Sequence, residues 1–443
     1  MVSKMSDAIY LTTRPSTHQM SRRQRILAIV FITSFAFDFK GSSGGSTIQL
    51  IMAGLNTAAF LLLAASYSIV LPRHGLGKFV LWGWLIFLVT GTLGAVVNDT
   101  PAGHYLRISY TFILFLEGFL VAWWTTRDSR NAGVVVSAMM TTAIISLFFT
   151  FVWGFYFTGQ SAELIRYQIL SPLIPLLFVV ASYDLFFARR RQMRSIMLLA
   201  ITLGVMVLSI TRTEILVIGF VAGLILSVVF LNGKRFGILP RPIIRVVTWG
   251  WIIVGIGLAV AALFNFDVLG RWMNRSLGVG HDVTFWTRVA AVVGQYQNLT
   301  VTHLGWLVGM GFGSSYPWPV SEFPWILRYL GNGAGHPVWF PGEFMWMPFL
   351  YYGGFIIGSI AAIVLLQGAL FAYRTLARLM GAKSWKDPRT RPLWVGVLGY
   401  FAFIGMGFTA NPFLLRLAAL FMGLCLGLVI AQGQLFKGNN TKS

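Results

Sequence analysis

The chain has 443 residues, 56% of them hydrophobic and only 11% charged, too few charges to cover a water-soluble domain of that size. Its formal charge of +21, from 34 Lys and Arg against 13 acids, would point a soluble protein towards nucleic acid, but here the position of each cation decides what it means. The one cysteine, Cys425, sits in an apolar stretch, so disulfides hold nothing together.

Residues 1–25 are polar and basic, with no signal-peptide cleavage pattern after them, so the first span is expected to stay as an anchor. A membrane-crossing helix needs about 20 apolar residues. On that criterion twelve helices are predicted, near 26–39, 47–71, 79–97, 108–124, 132–156, 169–188, 195–210, 215–231, 246–264, 344–370, 393–408 and 413–431. None shows the ten-residue alternation of an outer-membrane barrel strand. The expected fold class is therefore an all-α polytopic integral membrane protein. It forms one membrane domain over 1–443, with a large, partly helical loop at 265–343 between helices nine and ten and a tail at 432–443.

The basic residues give this plan an orientation. With the N-terminus in the cytoplasm, the segments on that side hold 25 of the Lys and Arg, and the opposite side holds 8. That asymmetry obeys the positive-inside rule and supports an even number of spans with both termini cytoplasmic. The excess of positive charge is then mostly topology, and nucleic-acid binding loses its main argument. The long loop faces away from the cytoplasm, where arginines run against the orientation rule and ATP is absent.

Several residues on that face can do chemistry. Arg212 lies in Ser-Ile-Thr-Arg-Thr-Glu between two spans almost without a loop, and an ionisable group at that depth usually faces a polar cavity; the alternative is pairing with Glu214 or snorkelling at a helix end. Arg288, in Trp-Thr-Arg-Val-Ala-Ala, opens a predicted amphipathic helix; its planar guanidinium suits a diphosphate, although lipid head groups offer the same contact. Arg166, Arg271 and Arg275 are further cations on this face, each also fitting an interfacial anchor. His336, in Gly-Asn-Gly-Ala-Gly-His-Pro, has the near-neutral imidazole expected of a general base for a hydroxyl. Glu343, at the mouth of the tenth helix, is its rival for that role and could also cap the helix dipole. His281 and His303 lack such a setting. Gly309-Met-Gly-Phe-Gly resembles a phosphate-cradling loop but lacks the Lys-Ser/Thr of a P-loop, so a tight packing turn is the expectation. No paired-acid, His-x-x-His or Cys cluster offers a metal site.

Taken together, the chain resembles the bacterial O-antigen ligase and polymerase superfamily. The matching parts are the twelve-span plan, the large loop near the C-terminal third, Thr-Arg-Thr-Glu at Arg212, Trp-Thr-Arg at Arg288, Gly-Met-Gly-Phe-Gly at Gly309 to Gly313, and the loop histidine. It departs from the family pattern in having Pro337 after His336 and its next glycines at Gly353, Gly354 and Gly358. An ungapped match to Gly354 puts Glu343 near the catalytic position instead. The resemblance implies transfer of a glycan from undecaprenyl diphosphate to lipid A–core at the periplasmic face of the inner membrane. No metal, cofactor or nucleotide is implied. Arg212 and Arg288 would hold the diphosphate, with Arg166 and Arg271 as further candidates, and His336 or Glu343 would activate the acceptor hydroxyl, with inversion at the anomeric carbon. Expected partners are the lipid-linked glycan, lipid A–core and membrane lipids, with no nucleic acid and the enzyme a monomer. The alternatives are a polymerase of the same superfamily, a transporter of lipid-linked or anionic substrates, and a structural scaffold. Glu117, Asp184 and Arg416 are the few charges expected within the membrane, which weakens a proton-relay pump.

Overall fold

A chain this apolar can satisfy its backbone inside a bilayer only by closing every hydrogen bond within its own segments, and the helix does so. The structure, a computed structural model, describes residues 19–38, 47–68, 70–72, 75–156, 169–188, 192–209, 212–236, 283–302, 304–319, 338–342, 344–382, 384 and 387–440. Helices α1 (Arg22–Thr33), α2 (Thr47–Ser66), α3 (Gly75–Val97), α4 (Ala102–Thr125) and α5 (Ser129–Tyr156) come first, then α6 (Ile174–Ser182), α7 (Gln192–Ser209) and α8 (Arg212–Phe236). After the described part of the long loop resumes, α9 (Val283–Val301) and the single turn α10 (Gly305–Val308) precede α11 (Trp346–Gly381), α12 (Arg391–Met406) and α13 (Arg416–Asn440). Among the described residues, seven helices, α2, α3, α4, α5, α7, α11 and α13, are long and apolar enough to cross a membrane, and Ile174–Phe187 and Glu214–Val228 are shorter apolar helices. The protein is an all-α membrane protein. A two-residue ribbon, Tyr316–Pro317 antiparallel to Val338–Trp339, is the sheet structure among the described residues.

Helices and predicted spans coincide in place more than in extent. The span at 344–370 is the first part of α11, which runs on to Gly381, and that at 413–431 starts later and continues to Asn440. Hydropathy marks where a helix becomes polar, whereas backbone bonding carries it further. The span at 169–188 is α6 followed by a π-helical turn, Tyr183–Phe187. The N-terminal helix α1 is only 12 residues long. The span at 246–264 lies outside the described residues.

Contacts between distant segments order the two ends of the bundle. At one end Met20 N–H donates to Asn131 Oδ1 (3.3 Å), and the Gln432 amide donates to the Thr126 carbonyl. There Arg391 also grips both carboxylate oxygens of Asp184, in the π-turn, with Nε and Nη2 at 3.0 and 2.7 Å. At the other end, called here the loop end, Met345 N–H donates to Gly407 O (3.1 Å) and Phe312 N–H to Gly91 O (2.9 Å). The last helix is the axis of the assembly: 83% of the apolar window of α13 is buried, against 28% for α2, which faces outward. Small residues let it in. Gly423 and Gly427 meet the backbone of Phe115 and Phe119 on α4, and Gly118 meets that of Leu420, the small-xxx-small packing that brings membrane helices close.

Candidate functional site

The loop end is built on an aromatic floor. Trp84 is fully buried and donates its Nε1–H to Phe112 O (2.9 Å), with the Phe115 ring 4.2 Å away and Phe413 5.4 Å away. Phe312 enters this floor from the long loop, 5.0 Å from Phe112 and 5.3 Å from Phe87. The glycines around it explain how. Gly309, Gly311 and Gly313 all have φ near +80°, a conformation side chains resist. Each also presses on a neighbouring main chain: Gly309 on Tyr352 and Gly354, Gly311 on Gly94 and Ala95, Gly313 on His104 and Tyr105. The N–H groups from Gly309 to Phe312 are used up in the protein. Met310 N–H donates to Tyr351 O (2.7 Å), and Gly311 N–H to Tyr352 O (3.2 Å). The segment is a packing wedge, in keeping with the expected tight turn, and its Met310, Gly311 and Phe312 amides are not free for an anion. It docks on α11 where that helix is broken, at Gly354 with φ +73°.

Above the wedge lies α9. Its buried residues, Ala290, Ala291, Gly294, Gln295 and Leu299, fall at helical spacing on one face, and Tyr296, Thr300 and Val301 are exposed. This is the amphipathic helix expected from the sequence, with Arg288 near its start. Asn298 donates to Tyr351 Oη (2.7 Å), whose hydroxyl donates to Ser315 O (2.6 Å), so α9 is tied to α11 and to the strand that follows the wedge. Arg288 is half-buried, its guanidinium carbon 5.9 Å from the centroid of the Phe344 ring, at the outer limit of a cation–π contact. Phe344 has φ +35° and is the chain neighbour of Glu343.

Arg212 is the first residue of α8, and its side chain lies outside the described residues. Its helix starts at the loop end: a Cβ on Gly405, near the end of α12, would meet Phe220 at 2.9 Å and Val217 at 3.5 Å. From there a row of rings leads inward, Phe220 to Phe408 at 5.7 Å and Phe408 to Trp346 at 5.5 Å, and Trp346 is two residues from Phe344. Phe220, about two turns into α8, thus connects through Phe408 to Trp346 at the start of α11, and Arg288 near the start of α9 reaches Phe344 just before it. Arg166, Arg271, Arg275, His336 and Glu343 lie outside the described residues, as do His281 and His303.

A further charged group at this end was not picked out as a site from the sequence. Arg416, the first residue of α13, holds Asp38 with Nε and Nη2 at 3.0 and 2.9 Å, and Gln49 donates to the same carboxylate at 3.2 Å. Arg416 read from the sequence as a charge inside the last span; it stands instead at the helix mouth, paired. Its signal was present in the rarity of acids, since Asp38 interrupts an otherwise apolar stretch. Among the described residues no group of three His, Cys, Asp or Glu side chains is placed to hold a metal ion. No protein-family model matches the chain, and no curated protein matches it.

Proposed function

We propose that the protein is a membrane glycosyltransferase of the O-antigen ligase type, which moves a glycan from undecaprenyl diphosphate to lipid A–core. The observation that carries this reading is the position of Arg288, on an amphipathic helix against Phe344, beside the segment that contains Glu343 and at the end of the bundle where Arg212 begins α8. Cations that run against the orientation rule in the sequence suit a diphosphate ligand. In this reading twelve spans keep both termini in the cytoplasm. The end carrying Arg22, Arg23, Arg25, Arg127, Arg130 and Arg391 then faces inward, and the loop end faces the periplasm of the inner membrane.

The proposed reaction joins these sequence-derived roles to the described position of Arg288. The acceptor hydroxyl of lipid A–core attacks the anomeric carbon from the side opposite the diphosphate. The new C–O bond forms as the bond to the phosphate oxygen breaks, with inversion. Arg212 and Arg288 hold the diphosphate and stabilise the charge left on it, with Arg166 and Arg271 as further contacts. His336 or Glu343 takes the hydroxyl proton.

The test is the lipid product formed when purified protein meets lipid-linked glycan with and without lipid A–core. Glycan on lipid A–core, with release of undecaprenyl diphosphate, is the expected outcome. Longer glycan left on the carrier would make the protein a polymerase, and no transfer in either mixture would overturn the reading. His336→Ala and Glu343→Gln, assayed separately for transfer, identify the base: the one that abolishes turnover while the protein stays folded carries the proton.

A further inference from the structure

Glu117 sits in the middle of α4, only 6% exposed, and its Oε2 is buried without a hydrogen-bond partner among the described residues. An ionised carboxylate left alone in so apolar a place is very costly, so the group is neutral or has a partner. The face of α4 that carries it is not apolar throughout. Tyr110 is seven residues back, two turns or about 10 Å towards the loop end and on the same side of the helix.

Tyr110 belongs to a polar stripe between α1, α2 and α4. Its hydroxyl donates to Ala53 O at 3.1 Å, lies 3.4 Å from Asn56 Oδ1 and 3.4 Å from Thr57 Oγ1. Asn56, fully buried, donates to Ser34 Oγ (2.8 Å) and to Phe31 O (3.0 Å). One face of α2, bearing Gln49, Ala53 and Asn56, then leads up to the Asp38–Arg416 pair at the loop end. Among the described residues, the ionisable groups along the stripe are Tyr110, Asp38 and Arg416. From α2 come only Gln49, Asn56 and Thr57, and α3 and α5 carry ionisable side chains only in their terminal turns.

We propose that Glu117 is a proton-binding site, loaded from the loop end through the Tyr110–Asn56–Ser34 cluster beneath the Asp38–Arg416 pair. Protons arrive from water at the loop end, and the carboxylate oxygen of Glu117 forms an O–H bond with each one it accepts. The site is separate from the glycan-transfer residues, and its test does not depend on transfer.

Infrared difference spectra of the full-length protein in lipid bilayers read the site directly. Glu117→Gln should remove a protonated-carboxyl C=O band present in the wild type at neutral pH. Transfer into D2O should shift that band, and Tyr110→Phe, which keeps the ring and its packing, should slow the shift several-fold. Asn56→Leu should slow it as well. A spectrum in which Glu117→Gln removes no acid band would show the group ionised and end the proposal. A band indifferent to D2O, or one exchanging at the wild-type rate in Tyr110→Phe, would show that the stripe carries no protons to it.

Discussion

Two segments of the same long loop do opposite things. From Gly309 to Gly313 the backbone is buried, its amides at Met310, Gly311 and Phe312 are spent on carbonyls of α3 and α11, and Phe312 is sunk in the aromatic floor. From Thr287 to Val301 the chain keeps a half-exposed face, with Arg288 near the start of the helix. Glycine richness alone reads as an anion loop; what decides the matter is whether its N–H groups have somewhere else to go. The difference teaches that the wedge builds the floor and α9 supplies the charge above it.

That contrast can be broken from either side. Gly311→Ala places a Cβ against the backbone of Gly94 and Ala95 in a left-handed conformation, and should cost about 3 kcal/mol or more in folding, read as lost thermal stability in detergent. Arg288→Lys should leave stability within error and, on the proposed function, reduce glycan transfer about 100-fold, since it loses the planar fork that would bind two diphosphate oxygens. Asp38→Asn, which leaves Arg416 without its charge partner, should lower stability by on the order of 2 kcal/mol, below the cost for a fully buried pair. Tyr351→Phe removes the tie between α9 and α11 through Asn298 and Ser315 and should cost about 1 kcal/mol; its transfer activity should fall less than that of Arg288→Lys. If Gly311→Ala folded normally, or Arg288→Lys melted early, the division of labour between wedge and α9 would be wrong.

The all-α membrane class was legible because 20-residue apolar stretches have few other uses. Helix ends were not: α11 and α13 continue past their apolar windows, and α6 gives way to a π-turn where Asp184 is drawn to Arg391. Hydropathy sees neither backbone bonding nor a partner 207 residues away. The amphipathic helix at Arg288 was readable from its spacing, and the wedge from its turn-forming glycines. The contact of Arg288 with Phe344 and the Asp38–Arg416 pair depend on tertiary packing, which no local pattern encodes. His336, Glu343, Arg166 and Arg271 rest on the sequence alone.

The claim that the loop-end arginines grip a diphosphate is tested most directly by binding. Purified wild type, Arg288→Lys and Arg212→Ala are titrated with undecaprenyl diphosphate and with undecaprenol, and complexes are counted by native mass spectrometry. The wild type should retain the diphosphate well beyond the alcohol, and each variant should bind it about tenfold more weakly or worse. Equal retention of diphosphate and alcohol by the wild type, or undiminished diphosphate binding by both variants, would contradict the account.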